Sequence, residues 1–264
     1  MRVAWLTDIH LNFLGPVQLD RFFSTIRASR PDVTVISGDI GEAPRLGWYL
    51  KRIEANLLCP VYFVLGNHDF YMSSFDEVRA SVSDLVRQSR WLTWLTEAGL
   101  VDLAPGVGLI GHEGWADGRL GDYERSELML NDYVRIRDLT HLTKQERLQK
   151  LNQLGDETAA YIHEWLPRAL ARYRQIVLVT HVPPFQDACW HEGEISDDDY
   201  LPHFGCKAAG DALVEIMRMR SDSQLTVLCG HTHGGGQVQI LDNLRVLTGA
   251  AEYGKPAVQQ IFEF

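Results

Sequence analysis

A chain of 264 residues, 45% of them hydrophobic and 23% charged, is long enough to bury a substantial core and has the balance of an ordinary globular protein. Its net charge of −10, with no Lys/Arg run longer than two, disfavours a nucleic-acid partner and suits a small substrate over a long polyanion. No apolar run reaches the roughly 18 residues of a membrane span, so no membrane partner is expected.

The first apolar run, Val3 to Leu6, reads as a strand and ends in Thr7-Asp8-Ile9-His10. A cleaved leader is not expected, because cleavage would remove these residues. Four cysteines, Cys59, Cys189, Cys206 and Cys229, then read as reduced thiols, and the expected location is cytoplasmic. Pro16 to Arg30 carries apolar residues at helical spacing. Val33 to Ile36 is a second strand, ending in Ser37-Gly38-Asp39. Leu46 to Leu58 is a second helical pattern, broken by Cys59-Pro60. Val61 to Leu65, apolar and β-branched, is a third strand, and it ends in Gly66-Asn67-His68-Asp69.

Ser74 to Ala98 reads as a long helix with room for an interruption, opened by a serine cap and closed by Gly99. Trp48, Trp91 and Trp94 are expected in the core. Leu100 to Ile110 predicts two short strands around Pro105-Gly106, followed by a polar loop that begins Gly111-His112. Tyr123 to Thr140 is charged and weakly periodic. Lys144 to Arg174 is helical, with Gly155 and Pro167 as places where it could break. Ile176 to Val179 is a strand ending in Thr180-His181, and a loop-like stretch runs on to Cys206. Lys207 to Arg220 is helical. Leu225 to Cys229 ends in Gly230-His231-Thr232-His233. Val238 to Ile240, Leu244 to Leu247 and Val258 to Phe264 read as closing strands of a second sheet. Strand–helix alternation predicts an α/β fold. One domain over 1–264 is expected, with pocket-shaping insertions near 112–142 and 183–206.

Five strand-like runs thus deliver Asp, Asn or His at their C-terminal ends, where open α/β sheets bind ligands. One such ending is more often a turn than a site, but five in a chain are hard to attribute to turns. The ordered set D-x-H, GD, GNH-D, H and GHxH resembles the calcineurin-like metallophosphoesterases, and the resemblance spans Asp8 to His233. It implies two stacked mixed β-sheets flanked by helices, an αββα sandwich.

The resemblance also implies two metal ions (Mn, Fe, Zn or Ni). One would be held by Asp8, His10, Asp39 and His233, and the other by Asp39, Asn67, His181 and His231, with Asp39 as the bridge. Paired ions of this kind activate a bridging water and clamp phosphoryl oxygens. The implied reaction is attack by that hydroxide on a phosphoester, with His68 as general acid. Either Asp69 or Glu42 is a candidate partner to orient His68, and His112 is a candidate substrate contact. Ala43 stands where protein phosphatases of this superfamily carry a phosphate-binding Arg, which points away from that class. Glu42 stands where purple acid phosphatases carry a metal-binding Tyr. Arg119 or Arg125 could supply the missing positive charge. Cys189-x-His191 and His203-x-x-Cys206 have the residue types of a zinc site but irregular spacing, and no zinc is expected there. Small phosphodiesters are the leading substrate class. A phosphomonoesterase or protein phosphatase, a nuclease and a non-catalytic scaffold are the alternatives. The intact set of eight site positions argues against the scaffold. Nothing in the sequence fixes an oligomeric state.

Overall fold

The computed structural model describes residues 1–264. In chain order the elements are β1 (Arg2–Leu6), α1 (Pro16–Ala28), β2 (Val33–Ser37), α2 (Ala43–Leu57), β3 (Val61–Val64), α3 (Phe75–Val86), β4 (Leu92–Trp94) and the single-turn α4 (Leu95–Ala98). The chain continues with β5 (Val101–Ala104), β6 (Val107–Gly111), the short α5 (Asp132–Arg135), the long α6 (Lys144–Leu170) and β7 (Gln175–Val179). A ribbon of β8 (Trp190–His191) and β9 (Glu194–Ile195) follows, then α7 (Leu201–Phe204), α8 (Lys207–Arg218), β10 (Gln224–Cys229), β11 (Gly236–Leu241), β12 (Leu244–Thr248) and β13 (Gln260–Glu263).

The strands form two large mixed sheets. The first has the order β13-β1-β2-β3-β4 and the second β11-β12-β10-β7-β6-β5. Period-two alternation decides what each face meets. In the first sheet Val3, Trp5, Val33, Val35 and Val64 point at the second sheet, where Leu109, Val177, Val179, Leu228 and Leu247 meet them. The alternate residues Leu6, Ile36 and Phe63 pack instead with Phe23 of α1 and Leu50 and Ile53 of α2. On the far side, Ile176, Leu178 and Val227 pack with Ile162 and Leu166 of α6 and Leu213 of α8. Helix, sheet, sheet and helix are therefore stacked as four layers, which is the αββα sandwich expected. No helix is long and apolar enough to cross a membrane.

Four local expectations are corrected. Residues 74–98 are not one helix. After α3, the Ser89 hydroxyl accepts the backbone N–H groups of Trp91 and Leu92, and Glu54 accepts those of Arg90 and Trp91. These local bonds give the backbone an alternative to the helix, and β4 then pairs in parallel with β3 through Val61 and Leu92. The C-terminal strand closes the first sheet, not the second, since β13 lies antiparallel to β1 with Val3 opposite Phe262. Neither Gly155 nor Pro167 interrupts α6, because Pro167 falls in its last turn. Trp94 is buried as expected, but Trp48 is exposed, with Arg45 4.8 Å over its ring.

Candidate metal centre

Both sheets end their strands at the same rim. Asp8 and His10 follow β1, Asp39 follows β2, and Asn67 and His68 follow β3. From the second sheet come His181 after β7, and His231 and His233 after β10. Five of these residues turn sharply enough to enter the left-handed region, with φ of +48° at Asp8, +39° at His10, +54° at Asp39, +71° at His231 and +61° at His233. Asp and His tolerate that region better than most side chains, yet it is uncommon and costs of order 1–3 kcal/mol each. Strain repeated at one rim is what a site assembled from loop ends looks like. Two glycines allow the loops to close in. A Cβ on Gly66 would collide with the Asp39 carboxylate and the His181 ring, and one on Gly230 with the Asp8 carboxylate.

The donors form two groups that share Asp39. In the first, the donor atoms of Asp8, His10, Asp39 and His233 all lie within 4.8 Å of one another. His10 Nε2 is 3.1 Å from His233 Nε2 and 3.6 Å from Asp39 Oδ2, and His233 Nε2 is 3.5 Å from Asp8 Oδ1. In the second, Asn67 Oδ1 is 2.9 Å from His181 Nε2 and 3.0 Å from His231 Nδ1, while His181 Nε2 is 3.4 Å from Asp39 Oδ1. The two Asp39 oxygens thus face different donor groups. His181 Nδ1 donates to the Ser37 carbonyl at 2.9 Å, which leaves its Nε2 lone pair for the centre.

Electrostatics point the same way. Burial pushes the pKa of His10 down to about 3 and that of His231 to about 4, and lowers His181 as well, so these rings are neutral donors. Asp39 is raised well above the usual carboxylate range by burial and by the neighbouring Asp8 and Asp69. Burial would raise Asp8 too, but the hydrogen bond with His233 and the nearby histidines outweigh it and hold Asp8 low. Buried carboxylates and neutral imidazoles converge here with no Lys or Arg among them. That nitrogen and oxygen set fits divalent metal ions, including the borderline ones that favour imidazole.

His68 sits beside this centre. Its backbone N–H donates to Asp39 Oδ1 at 2.9 Å, its Nε2 lies 3.8 Å from Asp39 Oδ2, and its ring stacks on Tyr71 with centroids 4.3 Å apart. Neither expected partner reaches the imidazole. Asp69 spends its carboxylate on the backbone N–H groups of Ile40, Gly41 and Gly66, tying the loop after β2 to the loop after β3. Glu42 pairs with Arg135 at 3.0 Å.

His112 is also not at the centre. It is buried against Tyr161 of α6, and its Nδ1 accepts the Gly114 N–H. Arg119 is held by Asp117 and Asp156, and Arg125 is an exposed side chain beside Asp122. The Cys189, His191, His203 and Cys206 side chains disperse. His203 hydrogen-bonds Tyr133 and Ser126, His191 Nδ1 meets the Thr232 carbonyl, and the Cys189 thiol points at the carbonyls of Phe185 and Phe204.

The centre opens into a cleft of about 270 Å³ whose walls include Tyr71, Asp132, His191, Phe204 and Tyr253. Sequence reasoning missed these contributors. Tyr71 could have been suspected from its place four residues after Asn67. Asp132 lies in the weakly periodic stretch and carries no motif. Tyr253 reaches the rim from the loop after β12, its ring 4.7 Å from that of His10.

Comparison with known proteins agrees with this geometry. Residues 1–235 match the calcineurin-like phosphoesterase family. Over 77 residues the chain is 35% identical to a Bos taurus transmembrane protein with metallophosphoesterase domain. That match takes in 28% of this chain and only 17% of the relative, so the chain spans well under two thirds of that protein. Among solved structures, the phosphopantetheinyl hydrolase PptH of Mycobacterium tuberculosis has a TM-score of 0.65 at 15% identity, over 95% of this chain and 89% of its own. A dimetal phosphatase from Danio rerio has a TM-score of 0.56, also at 15% identity, over 95% and 87%. Such distant structures show the shared fold. The family match covers most of the chain, including every strand that delivers a donor, and the chain therefore belongs to the calcineurin-like phosphoesterases.

Proposed function

We propose that this chain hydrolyses small phosphodiesters at two metal ions, one on Asp8, His10, Asp39 and His233 and the other on Asp39, Asn67, His181 and His231. The observation that carries the reading is Asp39, whose Oδ2 faces His10 and whose Oδ1 faces His181. When bound, a pair of ions supplies Lewis acidity and lowers the pKa of a water. The remaining work belongs to the chain. The rim loops hold the donors in place and keep bulk water off one side. Burial, with His10 and His181 nearby, lowers the pKa of His68, and the group the ring would offer a departing oxygen is a ring N–H. Its packing on Tyr71 keeps that ring in place.

The preference for diesters follows from the cleft's charge. Its lining contains no Lys or Arg. Arg135, whose guanidinium lies 4.7 Å over the Tyr71 ring, is engaged by Glu42. Asp132 adds a carboxylate to the wall. A phosphomonoester dianion needs charge clamping of the kind Arg supplies, whereas a diester carries one negative charge. The test is kcat/KM for bis(p-nitrophenyl) phosphate against p-nitrophenyl phosphate with Mn, Fe, Zn and Ni. A higher value on the diester with each ion that supports turnover is expected, and a monoester preference overturns the reading.

A further inference from the structure

We infer that Asp132 is the positioning residue of the second metal site: it fixes which end of the Asn67 amide faces the ion. The inference rests on the two-metal reading above.

Asn67 must present oxygen to a metal, since an amide nitrogen has no lone pair to offer. Nothing in the Asn side chain itself enforces this, because its two ends are nearly the same shape. Asp132 supplies the asymmetry. Its Oδ1 lies 2.8 Å from Asn67 Nδ2, and a carboxyl oxygen in that place accepts what an amide NH₂ donates. The NH₂ group therefore belongs on the Asp132 side. The oxygen then faces His181 Nε2 and His231 Nδ1 at 2.9 and 3.0 Å, within the donor group of the second ion. Flipping the amide would set two oxygens against each other and place the NH₂ where the metal belongs.

The same oxygen of Asp132 also accepts from the Tyr71 hydroxyl at 2.7 Å. Tyr71 is the ring on which His68 stacks. One buried carboxylate thus ties the Asn67 ligand to the platform under His68. Asp132 begins α5, in the stretch between the third and fourth strand-end motifs, and Arg135 of the same turn stacks on Tyr71. That stretch therefore has a task at the metals beyond shaping a cleft wall.

Groups bonded to the far side of a metal ligand typically change metal affinity by roughly 10–100-fold. Calorimetric titration of the chelator-treated full-length chain with Mn²⁺ reads both sites without any substrate. For Asp132→Ala we expect the second binding event to weaken by about 10–100-fold while the first, which lacks Asn67, stays within a few-fold. Asp132→Asn keeps an accepting oxygen toward Asn67 and Tyr71, so it should restore most of the lost affinity. General destabilisation would weaken both sites together. Wild-type affinity at both sites in Asp132→Ala, equal losses at both, or a loss in Asp132→Asn as large as in Asp132→Ala each overturns the positioning role. If Asp132→Ala does not fold, the Asp132→Asn titration decides alone, with retention of both sites supporting the role and loss of the second overturning it. A wild-type chain that takes up fewer than two ions overturns the two-metal reading itself, and this inference with it.

Discussion

Asp39 is the residue on which the site depends most. Its two oxygens face different donor groups, and the backbone N–H of His68 rests on one of them. A shorter side chain cannot span both groups. Asp39→Ala should therefore cost at least one metal equivalent by elemental analysis, and more activity than the roughly 10–100-fold typical of an outer partner. Two tightly held ions in this variant would remove Asp39 from the bridging position. His68 tests the chemistry in a different way. If its N–H serves the departing oxygen, its value depends on how badly that oxygen needs it. An aryloxide is stable as an anion and an alkoxide is not. His68→Ala should lose on the order of 10²–10⁴-fold on an alkyl diester and far less on an activated aryl diester, with metal content unchanged. Equal losses on both substrates would make His68 an electrostatic or positioning residue.

The elements carry a prediction that helix propensity alone would get backwards. Gly155 lies inside α6, where Ala would ordinarily be favoured by about 1 kcal/mol. Here the glycine faces Asp117, and a Cβ would come within about 2.5 Å of the Asp117 Cβ. Asp117 accepts the Ala208 N–H at the start of α8 and also holds Arg119. Overpacking of this kind costs about 1–3 kcal/mol. Gly155→Ala should therefore lower the melting temperature, and a rise would show that α6 can shift freely. The sequence signalled this glycine only as a possible break, because periodicity records which face is apolar and not how closely a neighbour approaches. The same limit explains the other differences. Strands that bury both faces and end in Gly, Asp or His were legible, and so were the donors at their ends. The edge strand β4 was not, since Leu92 to Trp94 is too short to show a period and follows a real helix. Nor was the partner of β13, because local pattern does not say which sheet a closing strand joins. Asp132 and Tyr253 reach the rim only through tertiary structure.

At the scale of the molecule, the metal centre is a seam. Asp8, His10, Asp39 and Asn67 come from the first sheet and His181, His231 and His233 from the second. Elsewhere the two sheets meet mainly through apolar side chains. Ions bound at the rim would therefore staple one sheet to the other, and they would bind the folded chain far better than the unfolded one. Mass action then predicts a stabilisation of about 2.7 kcal/mol per ion at a free concentration 100-fold above Kd. For a chain of this size that is roughly 5–10 °C in melting temperature per ion. Chelation should lower the melting temperature accordingly, and Asp39→Ala, short of at least one ion, should show at most about half of this response. Gly155→Ala, with its donors intact, should keep it. The four thiols offer a second readout. All are free and buried, and burial pushes the Cys229 thiol, just ahead of His231, up to about 12. A thiol reagent should thus react slowly with the metal-loaded chain and faster after chelation, because opening of the seam exposes the end of β10. Identical melting temperatures and thiol reactivities with and without chelator would mean that the sheets are held by their apolar interface alone.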